Sequence, residues 1–531
     1  MKRSRVLRRS VLLAAVLVMV AGGITATAAS GPQKPQRISD AAVKGHNPYS
    51  IKLGYGDALA QCQTYIPTGN TNPYLPFTST VNMIVGDPVN AGSGVNQGCR
   101  TPQNETAIAV NPADPNNLVA GANDYRQCCV VSADGSLRND GGGIAFVSHD
   151  GGRTWANVQL PGLTHLSGGQ GNFKKMDSAG DPAIAFGPNN TVYYANIVFS
   201  RTSDADAITL NVSHDGGDTW DAPVALANSG GAEFFNDKVF IGASPTTGDV
   251  YVSWTVFKEN RGNYIASPIV VSSSKDFGKT WGASVTASGP YLYNQGSVPV
   301  VGNDGAVYVS FEGAVEADNF ADYNIVAKST DKGKSWTQKV VSRNVDETYP
   351  INAQGRGSLT GLNFRLNSFA ALTIDRVTGR LYMAWADNSA ATSAVSSSQV
   401  FAQSSADGLI WTAPQRLTST SEDKIFPWVG ANGGKVIVSY YTREFAGSAS
   451  KLIDFAYVKS TNGGATWSAS TKLTEQASDP AIQFSGGGFI GDYTGVAVGS
   501  DGVAHPVWTD FRGNPGVTAP NQDAVTARVQ L

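Results

Sequence analysis

The sequence predicts an all-β fold, a β-propeller of four-stranded antiparallel blades, with seven blades favoured and six the alternative. Three observations predict it. The string "SHDGGRTW" at 148–155 returns as "SHDGGDTW" (213–220), "SKDFGKTW" (274–281) and "STDKGKSW" (329–336), then more loosely as "SSADGLIW" (404–411) and "STNGGATW" (460–467). Each copy closes a longer unit, and self-similarity at roughly fifty to seventy residues with four short strands per unit marks propeller blades. The chain also carries 59 glycines and only 15 % charged residues, without long helical periodicity, a profile of many strands joined by many turns.

Residues 1–28 read as a secretory signal. Lys2, Arg3, Arg5, Arg8 and Arg9 form a basic head, an apolar run spans 11–20, and Ala26-Thr27-Ala28 offers a small-residue cleavage site. The apolar run is too short to span a bilayer, and no later stretch is long enough. Arg8-Arg9 leaves twin-arginine export open beside the general route. The expected mature protein is secreted and soluble. Loss of five basic and no acidic residues takes the formal charge from −3 to −8, which argues against nucleic-acid binding, for which a basic stripe is needed.

Residues 29–78 read as an N-terminal extension and 79–531 as the propeller. Cys62, Cys99, Cys128 and Cys129 cluster in the first quarter of the chain. In an exported protein an even, clustered set points to disulfides rather than a metal site. Neighbouring cysteines are poorly placed to bridge each other, so Cys62 and Cys99 are expected to pair with Cys128 and Cys129, in either order.

The units follow in order. "ETAIAVNPADPNNLVAGAND" (105–124) opens the first and "DPAIAFGPNNTVYYANIV" (181–198) the second; others open at 237, 296, 369 and 426. A last unit, "GDYTGVAVGSDGVAHPVWTDFRG" (491–513) with "DAVTARVQL" (523–531), is one strand short. "STVNMIVG" (79–86) is the candidate for the missing strand, which would close the ring without an open edge. Within the octet, Asp150 suits a turn acceptor, Gly152 a positive φ, and Trp155 packing over the hairpin. Asn462 replaces the acceptor in the sixth copy, and Asp407 reads as displaced by one position in the fifth. A residue that recurs six times around a ring is structural.

The octet is similar to the Asp-box, or bacterial neuraminidase repeat, of the sialidase superfamily, and the resemblance covers about 103–531. It implies a propeller, and a site in which three arginines hold a sugar carboxylate, a tyrosine assisted by a glutamate acts as nucleophile, and an aspartate is the acid/base. The Arg-Ile-Pro or Arg-Leu-Pro tripeptide usual in that family has no match; Arg100 is followed by Thr101-Pro102.

The first strand of each blade lines a propeller's channel. Aligning the units places Glu105, Asp181, Lys238, Gly296, Phe369, Phe426 and Tyr493 in one register. Asn104, Gly180, Asp237, Gln295, Ser368, Ile425 and Asp492 precede them. Loops after the second strands add Asp124, Arg126, Arg201, Arg261, Glu312, Asp387, Arg443, Glu444, Asp510 and Arg512. Such a mouth, away from the octets, suits a sugar, because carboxylates supply acid/base chemistry and arginine forks hold carboxylates. The resulting expectation pairs Tyr493 as nucleophile with Glu105, with Asp181 or Asp237 as acid/base. Arg126, Arg443, Arg512, Asp124 and Asp492 are the substrate-binding residues. The alternative is that these charges are solvated loop residues. No cofactor is expected; a structural Ca²⁺ held by Asp181, Asp237, Asp492 and Glu105 is a weaker possibility. His165 and His505 suggest a lyase, ranked below a glycosidase. The sequence reading is thus a secreted exo-glycosidase-like propeller acting on an anionic sugar such as sialic acid, with a non-catalytic glycan- or protein-binding propeller as the alternative.

Overall fold

The computed structural model describes residues 78–85, 101–131, 137–512 except 230, 232, 261–262, 353–354, 393, 448–449, 483 and 485–487, and 521–531. Seven antiparallel sheets follow one another along the chain. Blade one comprises Gln103–Val110, Leu118–Asp124, Ile144–Ser148 and Ala156–Gln159. Blade two comprises Ser178–Phe186, Val192–Phe199, Asp206–Ser213 and Val224–Ser229. Phe234–Ala243, Val250–Asn260, Ile269–Ser274 and Val285–Thr286 make blade three. Blade four is Asn294–Val301, Val307–Val315, Ala321–Ser329 and Thr337–Arg343. Blade five is Ala371–Ile374, Leu381–Asp387, Gln399–Ser405 and Gln415–Arg416. Lys424–Asn432, Lys435–Thr442, Asp454–Ser460 and Thr471–Lys472 form blade six.

Blade seven joins the two ends of the described chain. Gly495–Val498, Val503–Asp510 and Asp523–Ala527 are its first three strands, and Thr80–Asn82 is the fourth. The register is Thr80 opposite Ala527, Val81 opposite Thr526 and Asn82 opposite Val525. Seven blades, closed by the segment beginning at 79, agree with the sequence expectation. Closure is stitched by side chains as well. Glu475 accepts from the amides of Ser79 (2.8 Å) and Thr80 (3.1 Å) and from Arg512 Nη1 (2.6 Å), while Asn82 donates to Asp523 (2.8 Å).

The strands are buried on both faces because each blade packs against two neighbours, so they read as apolar runs rather than clean alternation. Trp254, Trp385 and Trp508, on the second strands of blades three, five and seven, are among the largest fully buried side chains. Their indole N–H groups are satisfied by Asn236, Asp387 and Asp510 respectively.

The octets are turns between third and fourth strands. Asp150 accepts from the amides of Arg153 and Thr154 (both 2.9 Å) and the Thr154 hydroxyl (2.6 Å), while Ser148 Oγ accepts from Gly152 N (2.9 Å). Desolvation works against the Asp150 carboxylate, yet these hydrogen bonds, Thr154's foremost, bring it down to about 2. Asp215, Asp276 and Asp331 repeat the pattern, and Asn462 Oδ1 accepts from Thr466 N (3.0 Å). The fifth copy corrects the sequence alignment. Asp407 keeps its spacing, two residues after Ser405, to which it is hydrogen-bonded. The turn after it is one residue shorter, so Ser405 Oγ takes its amide from Gly408, and Trp411 reaches Gly408 O (3.0 Å).

Among the described residues no helix is long and apolar enough to cross a membrane. Cys62 and Cys99 lie outside the described residues. The backbone of Cys128 and Cys129 belongs to an added hairpin strand, Gln127–Val131, and their side chains are outside the description.

Candidate functional site

Five of the seven first strands break register at the same point. The shifts fall between Asn104 and Ala107, Gly180 and Ala183, Asp237 and Phe240, Gln295 and Val298, and Ile425 and Trp428. Inside each bulge one residue is left-handed: Glu105 (φ 56°), Asp181 (52°), Lys238 (53°), Gly296 (68°) and Phe426 (49°). Bulges re-aim side chains, and a left-handed non-glycine residue costs about 1–3 kcal/mol, so the surroundings over-determine these positions. At Gly296 no side chain fits, because an added Cβ would meet the Phe369 ring at 2.3 Å. In blades five and seven the strands begin two residues later, and Phe369 and Tyr493 sit in the chain leading in.

These bulges assemble one charged cluster. Lys238 Nζ lies 2.7 Å from Asp492, 2.9 Å from Glu105 and 3.4 Å from Asp181. Asp492 is held from its other side by the Arg365 fork, at 2.8 and 2.5 Å. Glu105 accepts from the amide of Asp492 (3.1 Å) and from Asn123 Nδ2 (2.7 Å), and Asn123 Oδ1 accepts from Asp181 N (2.6 Å). Gln295 donates to Asp237 (3.1 Å). Glu105, Asp181, Asp237, Lys238, Asp492 and Tyr493 are all buried, none more than 7 % exposed.

Four carboxyls therefore share two cations out of water, and their protonation separates. Burial, with the charge of Asp181 adding to it, pushes Glu105 up to about 8. Burial also raises Asp181 and Asp237. Asp492 meets the same desolvation, but Arg365 and then Lys238 overcome it and hold this carboxyl well below its usual range. Around one ammonium group, the proton affinity of Glu105 is thus driven up and that of Asp492 driven down. Two carboxyls in neighbouring sites with divergent proton affinities can divide the roles of acid and base.

The structure corrects several site expectations. Tyr493 lies beside the cluster, but among the described residues its hydroxyl has no hydrogen-bond partner, Glu105 included. Its ring packs edge-on against Phe240 at 5.1 Å, and burial followed by the charge of Asp181 raises the phenol well above 10, against a nucleophile's need. The three arginines do not converge. Arg126 pairs with Asp124 (2.6 Å) and donates to Val85 O. Arg443 pairs with Asp423 (3.2 Å) and donates to Thr360 O. Arg512 pairs with Asp510 (2.8 Å) and Glu475. For Arg126 and Arg512 the cause is local: an aspartate two residues earlier captures the guanidinium, so Asp124 is a partner of arginine and not of the cluster. Where a Ca²⁺ was envisaged, Lys238 Nζ occupies the space among Glu105, Asp181 and Asp492. Another carboxyl group close enough to share an ion, Glu312 with Asp322 and Asp346, lies in blade four and the segment after it.

Of the remaining residues, Arg201 pairs with Asp140 (2.6 Å), Asp387 accepts from Trp385 and Ser389, and Arg261 lies outside the described residues. His165 sits in a short turn beside Asp177 (3.4 Å). His505 is buried without a hydrogen bond at either ring nitrogen. Arg365 and Asn123 were missed. Arg365 belongs to the long connection between blades four and five, outside the repeat, so no alignment of units could reveal it. Asn123 was hidden on a second strand.

The expected mouth is also corrected. Phe364 and Leu366 from the 344–370 connection pack with Ile482 and Ile490 in one apolar cluster that includes Phe426, Tyr441 and Trp508. Arg365 lies over the Phe489 ring at 4.5 Å. Beside Asp492 and Tyr493 the cavity is only about 10 Å³. Among the described residues a cavity of about 610 Å³ lies at the other end of the channel, bordered by the first-to-second-strand turns. That is the octet face, since Gly151 N donates to Asn116 O and Asn117 to Gly216 O.

No protein-family model and no curated relative matches the chain. Solved structures similar to it include Hadza microbial sialidase Hz136, 12 % identical over 78 % of this chain and 75 % of that one, with a TM-score of 0.43. Trypanosoma rangeli sialidase is 11 % identical over 76 % of this chain and 58 % of its own, at 0.40. A Penicillium chrysogenum alpha-L-arabinanase complexed with arabinobiose is 13 % identical over 85 % and 98 %, at 0.42. Likeness this distant assigns no residue and no reaction to the present chain.

Proposed function

We propose that this protein is an exported, carbohydrate-active propeller in which the axial cluster is a glycoside-cleaving acid/base centre. The observation that carries the reading is geometric: the buried carboxyls of Glu105 and Asp492 both lie within 3 Å of Lys238 Nζ, while the Arg365 fork holds Asp492 alone. Glu105 is the general acid for the leaving oxygen. Asp492 stays ionised to stabilise positive charge at the anomeric carbon. Lys238 and Arg365 fix the carboxylates, and Asp181 and Asp237 keep the proton count high. The Arg365 fork is already taken up by Asp492, so an uncharged glycoside suits the cluster better than a sialoside.

A second reading, a non-catalytic glycan- or protein-binding propeller, is favoured by the 10 Å³ cavity that the described residues leave beside Asp492, too small for a pyranose. Incubation of the mature protein with a panel of fluorogenic glycosides, sialosides included, separates the two. Turnover that Glu105→Gln abolishes while the Tm holds within a few degrees supports the hydrolase. No turnover by the wild type on any member of the panel sinks it in favour of binding.

A further inference from the structure

The open end of the channel carries a second, chemically different feature. Apolar side chains line it from six blades, Val110, Phe186, Ile241, Val300, Ile374 and Val498, beside the polar groups of Thr373, Asn432, Ser500 and the turn backbones. At about 610 Å³ it falls in the range of small-molecule sites. On its rim stands Arg376, in the turn after the first strand of blade five. The guanidinium reaches across two blades, donating to Val301 O (2.6 Å) and Ala243 O (3.4 Å). Both partners are neutral carbonyls, and among the described residues no carboxylate lies within ion-pair distance of it. The adjacent Asp375 is spent on four backbone amides, those of Val377, Thr378, Gly433 and Gly434. Lys435, also on the rim, donates to Leu531 O (2.7 Å). The one acidic residue lining the cavity is Asp501, in the turn of blade seven, where it accepts from Val503 N.

An arginine presents five donors in a planar fork, and two carbonyls leave donors free. A cation held over an apolar cavity without a counter-charge is stabilised by an anion that brings its own apolar body. We propose that this cavity binds a small amphipathic carboxylate, its head on the Arg376 fork and its apolar body among the blade-one to blade-seven first strands. The site is independent of the axial cluster and stands whether or not the protein is a hydrolase.

The test is calorimetric titration of the mature protein with decanoate, decanol and inorganic phosphate. Decanoate binding at one site per chain, with decanol at least tenfold weaker and phosphate not competing, is expected. Arg376→Met reduces decanoate affinity at least tenfold and leaves decanol unchanged. Because Arg376 also anchors two carbonyls, a second variant, Ile184→Trp, fills the cavity from its wall and abolishes binding of both ligands. No decanoate binding by the wild type overturns the proposal. So do equal affinities for decanoate and decanol, displacement by phosphate, or full decanoate affinity in a folded Ile184→Trp protein.

Discussion

The two ends of the channel are built from the same seven strands and differ in almost every physical respect. One end begins five of the seven first strands with a bulge, turns charged side chains inward and is crossed by the connection that carries Arg365. The other ends each first strand in a short turn, presents valines and isoleucines and stays open. The difference lies in backbone conformation before it lies in composition. Register breaks at Glu105, Asp181 and Lys238 admit side chains that regular pairing would have placed against a neighbouring blade, whereas uninterrupted pairing from Ala107 to Val110 or Phe240 to Ala243 keeps the alternation of a packed strand. Chemistry in this fold is therefore localised where the ladder fails.

The largest test of that contrast is Lys238→Met. Removing the central cation leaves buried carboxylates facing one another, and stability is expected to fall by about 3–5 kcal/mol in denaturant unfolding. A loss under about 1 kcal/mol means that the cluster is wetter than its burial indicates.

The two ends should also respond to pH in opposite directions. His505, near the octet face against Gly152, is held down to about 4 by burial, with the charge of Arg528 adding to it. Between 6.5 and 4 the unfolded chain binds a proton that the folded chain refuses. Stability present above pH 6.5 is thus lost as the pH falls towards 4, by about 3 kcal/mol at most. His505→Leu is expected to flatten this acid limb. At the other end Glu105 is raised, so its contribution is complete below 4.5 and is lost as the pH rises through 8. Glu105→Gln is expected to flatten the alkaline limb and leave the acid one. Curves in which either variant alters the other's limb would show that the ends are not independent.

Asp150→Ala removes the octet's turn acceptor, far from the cluster, and is expected to cost about 1–2 kcal/mol while sparing any turnover. The smallest effect belongs to Tyr493→Phe. Deleting a buried hydroxyl that has no partner is expected to change stability by less than about 0.5 kcal/mol and to leave any turnover unaltered. Abolished turnover would restore the tyrosine to the mechanism.

Blade number, ring closure and the structural part played by the octets were readable because each repeats, and repetition averages out local ambiguity. The axial register was readable for the same reason: Glu105, Asp181, Lys238 and Tyr493 align on the turns that follow them, with Asp492 one position before. What the register meant was not. Nothing in the string "GDPAIAF" announces a left-handed Asp181, since a bulge is a property of two strands and not of one. The arginines were misjudged because a loop position fixes where a side chain starts and not where it is captured; Asp124 and Asp510 take Arg126 and Arg512 before either can reach the axis. Arg365 was invisible because its connection occurs once.

The pairing of Thr80–Asn82 with Asp523–Ala527 has a consequence for the order in which the chain is made. Asn82 and Asp523 are 441 positions apart, so the earlier-made strand waits for a partner synthesised after the six intervening blades. A chain cut short before Asp523 has six blades and an unlatched ring, with the edge of Val503–Asp510 bare to other molecules. The seam thus ties closure of the ring to the arrival of Asp523–Ala527, since only that strand brings Thr80–Asn82 into the last sheet.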